Sequence, residues 1–395
     1  MNVKFRHIAL MLAAMLWISC GGSGDEPGGN PTPQPTERPI VFSGTLSDGD
    51  SETHARTRAG EPVPLQYFPT QENGHTSFHV WSYKTKTTDP SLVLDVVMRN
   101  YTVNWTLGSA GSTTTNTNEW EYVGQGTNPQ TIKYWDFTAD MYRFFGYSGT
   151  GFTADDSHAN AASDPYVELS CDVNAEAERT ATATSPLFSR LWIKSGADIS
   201  LSVQPVTLQF IRPVARVRFI FTFVEGVNFG RKDLRDIQFG PTSARSIAQN
   251  GTVTIKYPLT GTEESWTSEI GNNTIPYFDI DYYETPVPAV TPEDTKPATY
   301  PNSPQHWNYV LPRIGPIPDN NDQNCQGAFK MSVSVSGNEP TTCAVPAEFM
   351  TWAPGHDYTY VFKMTASGSV SLDRVQVALR KWNSKDPIDY PIYNW

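Results

Sequence analysis

The stretch Val206–Val224, VTLQFIRPVARVRFIFTFV, constrains this chain more than any other. Ala215, Val217, Phe219, Phe221 and Phe223 fall on one face; Arg216, Arg218 and Thr222 fall on the other. A period of two sustained over this length is that of a β-strand with one dry face. In the first half the apolar positions are Val206, Leu208 and Phe210, which have the opposite parity, and Pro213 stands near the change. Proline has no N–H to give to a ladder, so a bend, a bulge or an edge position is expected there. The stretch reads as one long central strand, with a β-domain before it and another opening with it.

The rest of the chain uses the same vocabulary. Pro and Gly are plentiful, Thr, Tyr, Phe and Trp are frequent, and no long segment carries helical apolar spacing. Further strands are expected at Pro39–Phe42, Phe78–Tyr83, Leu92–Met98, Tyr101–Trp105, Trp120–Val123, Met141–Tyr147, Tyr166–Cys171 and Leu187–Lys194. In the second half they are expected at Ile237–Phe239, Thr252–Tyr257, Phe329–Val335, Tyr358–Met364 and Val370–Trp382. Phe78–Tyr83 and Met141–Tyr147 are apolar on both faces, as inside a sandwich. A turn is expected at Trp352-Ala353-Pro354-Gly355, where Pro presets φ and Gly supplies φ > 0. At 395 residues the chain exceeds one typical core. It divides into an N-terminal domain, 39–200, and a C-terminal domain, 201–395.

The N-terminus reads as an export signal. Lys4 and Arg6 precede the apolar run Ile8–Ile18, which is too short for a transmembrane helix. It closes on Ser19-Cys20 and a glycine-rich stretch, similar to a bacterial lipobox, in which the cysteine is acylated and becomes the mature N-terminus. Residues 1–19 are then the lipoprotein signal peptide and Cys20 the lipidation site; the alternative is an ordinary signal peptide with Cys20 incidental. Residues 20–38 carry no apolar pattern and read as a flexible tether. The formal charge of −12 argues against nucleic acid and anionic membrane surfaces as partners.

Four features bear on chemistry. Arg56-Thr57-Arg58 stands in a polar stretch with no core face, where proteases cut. Lys133–Tyr147 is the densest aromatic patch; a packed core is preferred over a carbohydrate platform. Cys325 and Cys343 flank Phe329–Val335, and both a disulfide between them and free thiols, Cys171 included, stay open. His75 and His79 have metal spacing only on a helix, and their surroundings read as strand or loop. No nucleophile elbow, phosphate loop, zinc motif or Cys-x-x-Cys is present. No catalytic residue, metal or cofactor is therefore expected, and the chain does not read as an enzyme.

The tail, Asn383–Trp395, is unusually apolar for a terminus. Ile388, Tyr390 and Ile392 share one face; Tyr393 and Trp395 share the other; Pro387 and Pro391 interrupt its hydrogen bonding. It docks on its own domain or on another molecule.

Several stretches, in order, resemble the fimbrillin (FimA/Mfa-like) family of type V pilins from Bacteroidota. They are the lipobox leader; Ile40-Val41-Phe42-Ser43 followed by Thr57-Arg58-Ala59; Tyr134-Trp135 followed by Tyr142–Tyr147; the central stretch, with Arg212 where the family has His; and Trp352–Tyr360, followed by Trp382. The resemblance implies two transthyretin-like Greek-key β-sandwich domains and a surface-exposed lipoprotein of the outer membrane, processed at Arg56 or Arg58 by an arginine-specific protease. Loss of the first strand leaves a groove that another fimbrial subunit fills by β-strand addition, with the tail residues Ile388, Tyr390, Ile392, Tyr393 and Trp395 as donor strand. The product is a fimbrium that supports adhesion to a host protein or glycan. The alternative from the same features is an outer-membrane glycan-binding lipoprotein.

Overall fold

Alternation becomes strand almost wherever the sequence carries it. The structure, a computed structural model, describes residues 38–379 except 47–74, 89–90, 106–119, 128, 176, 180–183, 202–204, 224–233, 242–246, 276, 280–306, 314–328, 336–337, 346 and 366. In chain order the strands are β1 (Phe42–Leu46), β2 (Ser77–Thr88), β3 (Ser91–Trp105), β4 (Trp120–Glu121), β5 (Met141–Ser148), β6 (Phe152–Asp155), β7 (Tyr166–Asn174), β8 (Leu187–Ser189), β9 (Trp192–Ser195), β10 (Val206–Ile211) and β11 (Ala215–Phe223). There follow β12 (Leu234–Pro241), β13 (Ile247–Ala248), β14 (Asn250–Pro258), β15 (Ser265–Ile270), β16 (Thr274–Ile275), β17 (Phe278–Asp279), β18 (Asn308–Val310), β19 (Phe329–Val335), β20 (Thr341–Val345), β21 (His356–Met364) and β22 (Val370–Leu379).

The fold is all-β and sandwich-like. The first sheet runs β1-β10-β8-β5-β2-β3-β4, with β9 also on β5. Phe78 and Val80 of β2 and Tyr142 and Phe144 of β5 enter one core with Phe42, Trp120 and Phe210. Trp81, Tyr83 and Phe145, from the same two strands, enter a second core on the opposite face. There they meet Val167, Leu169, Val253 and Ile255 of a second sheet, β15-β14-β7-β6. The two-sided apolar character of β2 and β5 is thus the mark of strands covered on both faces.

A C-terminal sandwich packs β18-β11-β21-β22 against β17-β12-β19-β20. Val217, Phe219, Phe221, Tyr360 and Phe362 from one sheet meet Phe239, Phe329 and Met331 from the other. The turn before β21 takes the expected form: Gly355 has φ +71°, and His356 N–H donates to Ala353 O at 3.3 Å.

Strand pairing crosses residue 200 in two sheets: β10 lies between β1 and β8, and β14 pairs with β7 from Asn250↔Asn174 to Pro258↔Tyr166. The central stretch is not one strand. It divides into β10, in the first sheet, and β11, in the C-terminal sandwich, with Arg212-Pro213-Val214 between them. The parity change is the cause. A continuous strand would carry Val206, Leu208 and Phe210 on the polar face of Arg216 and Arg218, and Pro213 withholds the N–H that would continue the ladder. Conversely, β3 runs through both expected segments, 92–98 and 101–105, because Asn100 takes φ +51° where the register with β2 shifts.

Candidate functional site

The first sheet curls until the chain after β4 meets the segment leading into β1, and the residues at this seam form the candidate site. On one side β1 lies parallel to β10, Phe42 opposite Val206 through Leu46 opposite Phe210. Val206 N–H donates to Val41 O at 2.8 Å. On the other side Ile40 N–H donates to Lys133 O at 2.8 Å, and Pro39 forms an isolated bridge with Tyr134. Tyr122, just after β4, donates from its hydroxyl to Ile40 O at 3.0 Å and accepts from Lys133 N–H at 3.0 Å. Burial pushes the Tyr122 hydroxyl far above the ordinary tyrosine range, so it stays a donor at any physiological pH.

The side chains of this segment alternate. Ile40 and Phe42 are 0% exposed, whereas Val41 is half-buried on the other face. The Phe42 ring stands edge-on to Phe78, Tyr122 and Phe144, with centroids 5.8, 5.8 and 5.9 Å away. Burying the two anchors contributes about 3–6 kcal/mol gross. Without this segment, β10 would present an unpaired ladder edge beside an open apolar slot, an arrangement that calls for a replacement strand.

Of the residues singled out by sequence, Cys20, Arg56, Arg58, Cys325 and the tail positions Ile388, Tyr390, Ile392, Tyr393 and Trp395 lie outside the described residues. Arg56 and Arg58 fall in 47–74, which connects β1 to β2. Cys343 is half-buried on β20, opposite Met331, and Cys171 is buried on β7 with its thiol pushed up by burial. The aromatic patch is core: Trp135, Tyr142, Phe144 and Phe145 are buried, while Tyr134 is 40% exposed beside the seam.

The histidines have structural surroundings. His75 is 1% exposed. Ser148 Oγ donates to Ser77 O at 2.5 Å and accepts from His75 Nδ1 at 2.7 Å. Burial, with the charge of nearby Arg212, lowers the His75 pKa to about 4. His79 stacks on Tyr147, and burial lowers its pKa as well. Arg212, at the break between β10 and β11, is buried and pairs with Glu178 at 3.0 Å. Asp357 accepts both hydrogen bonds of a bidentate pair from Arg216. Among the described residues no group of three or more His, Cys, Asp or Glu gathers as a metal site, and no helix is long and apolar enough to cross a membrane.

The seam residues were half visible in sequence. The sequence marks Ile40 and Phe42 as part of a short strand, but nothing local marks Tyr122 and Lys133 as its second wall. That pairing depends on how the sheet curls.

No family model matches the chain, and no curated protein matches it. Solved structures similar to it include a Bacteroides uniformis protein named for cell adhesion (12% identity, 89% of this chain and 100% of that one, TM-score 0.36). A fimbrial protein from Bacteroides vulgatus is similar at 12% identity over 88% of this chain and 100% of that one, TM-score 0.38. Proteins from Bacteroides thetaiotaomicron named for polysaccharide binding are similar at 11% identity over 88% and 96%, TM-score 0.29. These likenesses are distant, and the functional reading is carried by the residues at the seam.

Proposed function

We propose that this chain is a structural subunit of a surface fimbria, of the fimbrillin type, that polymerises by strand exchange at the seam. The observation that carries this reading is the position of β1. It is the end strand of its sheet; together with the segment leading into it, it fills a slot through two fully buried anchors, Ile40 and Phe42; and the chain joining it to β2 contains Arg56 and Arg58. A cut after either arginine severs β1 from the body, leaving β10 and the slot for the tail of a neighbouring subunit. Before the cut, lipid on Cys20 holds the precursor to the outer membrane. The role is assembly and adhesion, without catalysis and without a cofactor.

The glycan-binding alternative gains less from the described residues. Every tryptophan whose side chain is described is buried or half-buried, Trp81, Trp120, Trp135 and Trp352 among the buried ones. Exposed rings are what a sugar platform requires.

Limited digestion of the exported precursor with an arginine-specific protease tests the reading. The expected result is one trimming event near residue 58, a stable body and a ladder of oligomers. A segment that resists the protease, or a trimmed body that stays monomeric, would overturn it.

A further inference from the structure

The segment that fills the seam has a second copy in the sequence. Pro39-Ile40-Val41-Phe42 reads proline, isoleucine, any residue, aromatic ring; Pro387-Ile388-Asp389-Tyr390 reads the same. We infer that Pro387–Tyr390 of a neighbouring copy enters the seam in one register, Ile388 at the Ile40 position and Tyr390 at the Phe42 position. The inference rests on the strand-exchange reading and names the occupant's anchors and frame.

Each seam position makes its own demand. The first is filled by a proline, which gives no N–H. The second must give an N–H to Lys133 O, accept from the Tyr122 hydroxyl and fill a closed space that an isoleucine occupies. At the third, the carbonyl receives Val206 N–H and the side chain is half-buried on the far face, which suits the carboxylate of Asp389. The fourth is the aromatic socket of Phe78, Tyr122 and Phe144.

Other frames of the tail fail these demands. Slid by two residues, Tyr390 meets the space that Ile40 occupies and Ile392 the aromatic socket. Slid by four, Asn394 is driven into the aromatic socket, where its carboxamide would be buried among rings. Slid by five, Tyr393 and Trp395 overfill both sockets.

The favoured frame carries one defect with a consequence. Val206 N–H bonds to Val41 O and Val206 pairs with Phe42, so the parallel pattern assigns Ser43 N–H to Val206 O. Pro391 falls on Ser43 and has no N–H to give. The tail is therefore a weaker occupant than β1. It cannot displace an attached β1 and enters once the cut has released it, so assembly waits for processing.

The frame can be read by cross-linking the full-length exported chain. Ser43 stands opposite Thr207, so the frame sets Pro391 of one copy opposite Thr207 of the next. Neighbouring strands lie about 4.8 Å apart, within disulfide reach. A chain carrying Pro391→Cys and Thr207→Cys, cut with the protease under oxidising conditions, is expected to link into a covalent ladder. With Gln209→Cys in place of Thr207→Cys the yield should fall at least tenfold, and Pro391→Cys alone gives the background from native cysteines. Preference for Gln209→Cys, in a polymer that forms normally, would overturn the register while strand exchange stands; failure of all variants and of the unaltered chain to polymerise would overturn both. Pro391→Ser restores the missing donor and should slow polymer dissociation roughly five-fold; unchanged dissociation would contradict the frame.

Discussion

Phe42 is the residue on which the uncut fold leans most directly at its seam. Truncation to alanine leaves a cavity among Phe78, Tyr122 and Phe144. Phe42→Ala should destabilise the precursor by about 3–5 kcal/mol in urea unfolding. If β1 is cut away as proposed, the same substitution should leave the trimmed, assembled subunit unaffected. His75 sets a second expectation, in pH. Its pKa is lowered to about 4 by burial and by Arg212, against an ordinary value of 6.5. Between those values the unfolded chain binds more protons than the folded one, so stability rises with pH across that window. The contribution is complete above about pH 6.5, is lost as pH falls toward 4 and stays lost below. The shift corresponds to about 3 kcal/mol. Urea unfolding at pH 7 and pH 4.5 should show that loss, and His75→Gln, which keeps a donor for Ser148, should remove most of it. None of this is legible in sequence, where His75 and His79 are notable only for their spacing; their partners Ser148, Tyr147 and Arg212 come from far along the chain.

At the scale of elements, alternation was legible and pairing was not. Phe329–Val335 is β19 as expected, and β5 and β21 begin within two residues of the expected starts, because apolar side chains at period two mark a buried face locally. Strands β6 and β15 went unread: their side chains are mostly exposed or half-buried, so no apolar stripe marks them. The break between β10 and β11 reads in sequence as a bend within one strand, since each half keeps a period of two and only the parity differs. The tail is the element with the sharpest prediction. A chain lacking 383–395 should keep the thermal transition of the full precursor and lose protease-triggered assembly. A precursor that melts earlier without the tail would assign it instead to its own domain.

Across the whole molecule, the first sheet carries a core on each face, one of them shared with the second sheet, and a third core fills the C-terminal sandwich. The all-β class followed from composition and periodicity. The sharing of strands across residue 200 did not, because residues 175–249 separate β7 from β14 and neither announces the other. The candidate site lies at the seam of the first sheet, and on the proposed reading it is one slot with two successive occupants. N-terminal sequencing of subunits recovered from assembled polymer tests that claim most directly. Chains beginning at Thr57 or Ala59, with β1 absent, are expected; polymer built from chains that begin at Cys20 and retain β1 would overturn strand exchange at the seam.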